Sequence, residues 1–331
     1  MAYRYVPLFR SKSGEAAALF HLNVAAKDRI FPIFNLTKSV SGSFASEVGK
    51  AWAGRHLGLS GQFNYKENGS GADFQRVFAE LTSAGVNVVP TIAFGAPAEY
   101  AEIVWAITRS AGTGLAVKVR TGDLQQVAAW LAANGQQPQD VDLVLTVGHI
   151  PDIGEGVVDD AVLHTLQQLR LPLPWRSITL AASAAPKDMS SMKLGHNAVP
   201  RLDWLLWQKL HPQVDFQLDY GDCGISHPGM KDAPGFAMAA ATVSVRYTTD
   251  SEWIVLKGRP IKGTTRVDMP KQYKQHAATL VAAPQFGGVA NCWGDGRIPQ
   301  IASGAISAGN RRSWVELGAN RHLSLVADRL P

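Results

Sequence analysis

The stretch DYGDCGISHPG, residues 219–229, places Asp219, Asp222 and His227 close together along the chain, with glycines at 221, 224 and 229 that let the backbone turn between them. Carboxylates in such a group suit a hard divalent cation such as Mg²⁺, and an imidazole shifts the preference toward Zn²⁺ or Mn²⁺. The same residues also make a turn in which Asp222 bonds nearby backbone N–H groups and His227-Pro228 closes the loop. Residue types alone leave both readings open. They make Asp219, Asp222 and His227 the candidate catalytic residues, with a divalent metal as the cofactor of the first reading.

A second set is cationic. Arg10 and Lys12, Lys118 and Arg120, and Arg246 each fall at or just after the end of an apolar, β-prone run. Guanidinium and ammonium groups gathered at strand ends suit phosphate oxygens, which guanidinium meets bidentately. The run SVRYTTDSEWIVLKGRP adds Trp253, Lys257 and Arg259 to Arg246. Cations interleaved with aromatic rings are what a single-stranded nucleic acid requires, and equally what a solvated hairpin displays. The final segment contributes Asp295, Arg297, Arg311, Arg312, Trp314, Arg321 and His322. Its Gly-rich start, followed by a helical pattern, offers an N-terminus to phosphate.

These residues need elements to position them. Strand-like runs recur at 5–9, 29–34, 86–93, 114–120, 141–147, 177–183, 214–220 and 242–248, with amphipathic helical stretches between most of them. Eight strands with crossover helices predict an α/β fold, an atypical (β/α)8 TIM-like barrel, because closure leaves no exposed parallel edge. The connection from Asn35 to Gly71 is long and carries a helix near FASEVGKAWAG. A weak helix is expected in GFAMAAA, and SEWIVLKGRP adds a β-ribbon through the turn TTDS. The expected organisation is a barrel over 3–283 and a C-terminal extension over 284–331 packed on it.

Composition narrows the field. The chain has 331 residues, with 32 basic against 27 acidic and a formal charge of +5, a balance that favours anionic partners without naming one. Its two cysteines lack the spacing of a zinc site or a disulfide framework. No apolar run is long enough to span a membrane, and none follows the N-terminus as a signal would, so a cytoplasmic protein without membrane association is expected. Neither a Gly-x-Ser-x-Gly elbow nor a phosphate-binding P-loop is present.

In order and spacing, YVPLFRSKSGEAAAL, IFPIFNL, DYGDCGISHPG, SVRYTTDSEWIVLKGR, WGDGRI and SWVELGANRHLSLV resemble the phage "beta protein" family over nearly the whole chain. The resemblance implies a barrel-like fold in a phage or anti-phage context and implies no reaction. Three functions are therefore carried forward. The first is binding of a phosphate-bearing ligand, nucleotide or nucleic acid. The second is a metal-dependent phosphodiesterase or nuclease using Asp219 and Asp222. The third is a non-catalytic protein with a protein partner in a phage-defence system.

Overall fold

A computed structural model describes residues 4–153, 155–169, 174–231 and 242–331. Eight parallel strands close a barrel: β1 (Tyr5–Arg10), β2 (Ile33–Asn35), β3 (His56–Ser60), β4 (Asn87–Ala93), β5 (Leu115–Arg120), β6 (Val141–His149), β7 (Ser177–Ser183) and, after an excursion, β9 (Leu218–Asp222) beside β1. The excursion is β8 (Gly195–Pro200). It joins β10 (Thr242–Thr248) and β11 (Glu252–Pro260) in an antiparallel sheet outside the barrel, in the order β10-β11-β8.

Three expectations are corrected. The eighth barrel strand is not 242–248 but HLGLS, His56–Ser60, inside the connection expected to be helical. The ribbon gains β8 as a third strand. The strand expected at 214–220 runs instead over Leu218–Asp222, because Gly221 must face inward: a Cβ there would lie 2.9 Å from Ala181 and 3.0 Å from the Val6 carbonyl. The helix expected in GFAMAAA lies outside the described residues.

Period-two alternation sorts each barrel strand into an outer face buried under helices and an inner face along the axis. Inner residues form layers. At the amino-terminal end Arg4 bridges Asp142 (3.1 Å) and Asp219 (3.0 Å), and Arg176 meets Asp142 at 2.6 Å. Above this ionic floor lies an apolar layer that includes Val6, Ile33, Val89, Ala116, Val144 and Ala181. The carboxyl-terminal layer is polar and small: Arg10, Asn35, Ser60, Lys118, Thr146, Ser183 and Cys223.

The same alternation organises β10. Val243, Val245 and Tyr247 join a second apolar cluster with Tyr273 and Leu280 of the helix Met269–Val281, Ile298 and Ile301 of the helix Trp293–Ser303, and Trp314 and Leu317 of the helix Arg311–Arg329. Ser244, Arg246 and Thr248 occupy the other face, toward the barrel. The C-terminal helix starts at a capping box, Asn310 with Ser313, and buries Ala319, Leu323 and Val326 in the main core. It pins sheet to barrel. Gly318 permits this, since a Cβ there would sit 2.8 Å from the Arg246 carbonyl oxygen. Among the described residues no helix is long and apolar enough to cross a membrane.

Candidate anion-binding site at the barrel mouth

The loop after β9 and the inner face of β10 bring Arg10 and Arg246 together. With Arg311, Ser226, Ser244 and Tyr273 they line a cavity of about 260 Å³ between the barrel mouth and the appended sheet. Arg246 donates through Nη1 to the Ile225 carbonyl and through Nη2 to that of Pro186 (3.0 Å). Both partners are neutral. Burial, with the neighbouring charge of Arg10, pushes Arg246 down to about 10. Arg10 Nε is buried and among the described residues has no hydrogen-bond partner. A carboxylate beside Arg10, Glu15, is occupied by the Arg10 backbone N–H (2.9 Å) and the Ser226 hydroxyl (2.8 Å); burial raises its pKa, opposed by the charge of Arg10.

Lys118 occupies the adjoining mouth of the barrel. It reaches across from β5 to donate to Asn35 Oδ1 at 2.5 Å and Ser60 Oγ at 3.3 Å, and Asn35 is paired in register with Arg10. Burial pushes Lys118 down to about 8. Arg120 follows two residues later on the same strand face and is exposed at the rim, while Lys12 lies just beyond Arg10 before the helix Ser13–Phe20.

The acidic candidates do not join this group. Asp219 is at the amino end of β9, in the ionic floor, and not at the mouth, because the strand begins four residues later than its alternation suggests. Charged groups paired at that end of a barrel lie away from the face where barrel enzymes build their sites. Asp222 projects from the opposite, outer face of β9 and is wholly buried. It accepts from the hydroxyls of Tyr5 (2.5 Å) and Tyr220 (2.8 Å), from the Gly224 N–H (2.7 Å) and from His322 Nε2 (2.8 Å). Burial alone would raise its pKa, but His322, the Tyr5 hydroxyl and the Gly224 N–H outweigh it and hold the carboxyl at about 2. His227 is in the mouth loop, its ring edge-on to His149 at 4.6 Å. Asp219 and Asp222 therefore share no cation, and among the described residues no three His, Cys, Asp or Glu side chains are placed to hold one.

The ribbon candidates separate too. Trp253 is 1% exposed and stacks within the core, out of reach of a base. Lys257 and Arg259 border a different cavity with Lys271 and His276, and Lys257 donates to the Met192 carbonyl. At the start of the helix Trp293–Ser303 the Asp295 carboxylate pairs with Arg321 at 3.0 Å, so the helix carries its own anion there.

With this geometry in place the comparisons become informative. The model of the family described as Beta protein matches residues 5–328. The chain belongs to that family. No curated protein matches the sequence. The family match spans both the barrel and the appended sheet, and so every Beta protein residue named in the mouth cluster lies within it.

Residue types alone do not single out Ser226, and they set His322 only in the C-terminal segment, not beside Asp222. His322 bonds Tyr5, Asp222 and Thr248, all far away in sequence, and only the closed barrel makes the group visible.

Proposed function

We propose that the protein binds a phosphate monoester, carried by a nucleotide or by the end of a nucleic-acid strand, in the cavity of Arg10, Arg246 and Arg311. The observation that supports this reading is a part-buried arginine, Arg246, that among the described residues has no carboxylate partner, set beside a second arginine with an unpaired Nε. Like charges held together in a part-buried pocket are costly, and an anion is what relieves them. Each charge-assisted bond to phosphate contributes roughly 1.5–3 kcal/mol. Ser226, Ser244 and Tyr273 supply neutral hydroxyls for the remaining oxygens.

Size argues for a small ligand or strand end over a duplex, since a cavity of about 260 Å³ is at the lower edge of ordinary ligand pockets. Family membership supports a phage or anti-phage setting for this binding, inside the cell. A metal-dependent phosphodiesterase loses its support because Asp219 and Asp222 face apart. The test is calorimetric titration of the protein with AMP, adenosine, and one oligonucleotide with and without a 5′-phosphate. Binding of AMP and of the phosphorylated strand alone is expected. Equal binding of adenosine and AMP, or of the two strands, would refute it.

A further inference from the structure

Lys118 is placed unlike a structural lysine. It stands in the inner, carboxyl-terminal layer of the barrel, and its ammonium nitrogen meets only an amide oxygen and a hydroxyl, Asn35 Oδ1 and Ser60 Oγ. Among the described residues it has no carboxylate partner. Ala93, beside it in the ladder, is small and part-exposed, as is Thr146 on β6, and Lys118 is itself part-exposed. Arg120 lies on the same strand face one step nearer the rim.

We propose that Lys118 is a reactive amine that forms an imine with a small aldehyde or ketone bearing an anionic group, the carbonyl entering the barrel mouth and the anion resting on Arg120. The uncharged Nζ adds to the carbonyl carbon, and a proton passes from nitrogen to the carbonyl oxygen to give a carbinolamine. Loss of water then leaves the C=N bond, and hydrolysis reverses it. The Ser60 hydroxyl is placed to donate to the carbonyl oxygen, while Asn35 holds the amine. Nucleophilic lysines of this kind are found desolvated and away from carboxylates.

Electrostatics agree with the geometry. Burial lowers Lys118 to about 8, with Cys223, just after β9, acting in the opposite direction. Of the other charged side chains around the mouth, Arg10, Lys12 and Arg120 are cations, and the one carboxyl among these neighbours, Glu15, is held by the Arg10 N–H and the Ser226 hydroxyl. Near neutral pH this gives about a hundredfold more free amine than an exposed lysine has. Burial raises the Cys223 thiol, so it stays protonated and does not compete as nucleophile.

The proposal does not depend on phosphate binding, and its probe carries no phosphate. The whole protein is incubated at pH 7.5 with glyoxylate and cyanoborohydride, whose hydride adds to the imine carbon, and the carboxymethylated lysines are located by peptide mass mapping. Lys118 is expected to be modified about tenfold or more faster than exposed lysines such as Lys66 and Lys262. Its rate should rise with pH to a midpoint near 8. Modification of exposed lysines with Lys118 untouched, or its modification only in urea, would overturn the assignment. Arg120→Ala should slow glyoxylate several-fold and leave uncharged propionaldehyde unaffected. Equal effects on the two aldehydes would overturn the anionic substrate class.

Discussion

Replacing Asp222 by Asn tests how the C-terminal helix is held against the barrel. The carboxylate is buried beneath β1, β9 and His322, and four donors converge on its two oxygens. An amide presents N–H where a carboxylate accepts, so at least one of those donors loses its acceptor. The shift from the ordinary 3.8 to about 2 corresponds to roughly 2 kcal/mol of stabilisation, at about 1.4 kcal/mol per unit. Because the folded value lies below the unfolded one, the carboxylate's contribution is present above about pH 4 and is lost as pH falls toward 2, while His322, which burial holds below its ordinary 6.5, adds its own loss of stability as pH falls below that value. Guanidinium unfolding of wild type and Asp222→Asn at pH 7 should differ by about 2 kcal/mol, and the gap should narrow to about half by pH 3. A gap under about 0.5 kcal/mol at pH 7, or one that does not change with pH, would refute the account of this network.

Two further outcomes follow from the packing. Asp219→Asn should lower stability by about 1–3 kcal/mol through the Arg4 bonds while leaving AMP affinity unchanged, and a loss of affinity at unaltered stability in the same calorimetric titration would return Asp219 to the site. Gly318→Ala should cost about 1–3 kcal/mol in urea unfolding, because the new methyl meets the Arg246 carbonyl and Ile225 at under 3 Å; by pressing the helix off β10 it should also weaken anion binding.

How much of this was legible beforehand depended on the range of the interaction. Runs such as VDLVLTV and GLAVKVR declared themselves as strands because alternation and β-branching are local properties. HLGLS did not, since Gly58 interrupts its apolar pattern; the glycine is there because a Cβ would lie 2.7 Å from Ile33. TVSVRYT was recognisable as a strand, but no local feature says which sheet a strand joins, and its pairing with β11 took it out of the barrel. Starting β9 four residues early and ending it two residues early carried Asp219 from floor to mouth, which shows how strongly site assignment leans on strand limits.

The cationic residues fared unevenly for a physical reason. Arg10, Lys118 and Arg120 belong to strands whose ends were placed nearly correctly, so their gathering at the mouth followed from the fold. Arg246 reached the same place by another route, from the outer sheet, and Arg311 arrives on a helix pinned by contacts with residues some 70 to 317 positions away. Trp253 carried an aromatic signal that its burial cancels.

The proposed phosphate site is tested most directly by Arg10→Met. This change removes one charge beside Arg246 while giving up no side-chain hydrogen bond of the Nε, which has none. Calorimetric titration with AMP at low ionic strength should show the variant bound about tenfold or more weakly than wild type, the loss shrinking as salt is raised, while the relieved repulsion with Arg246 and the lost attraction to Glu15 offset each other in unfolding stability. Equal affinity for AMP in wild type and variant across the salt series would contradict the claim that these arginines form an anion site.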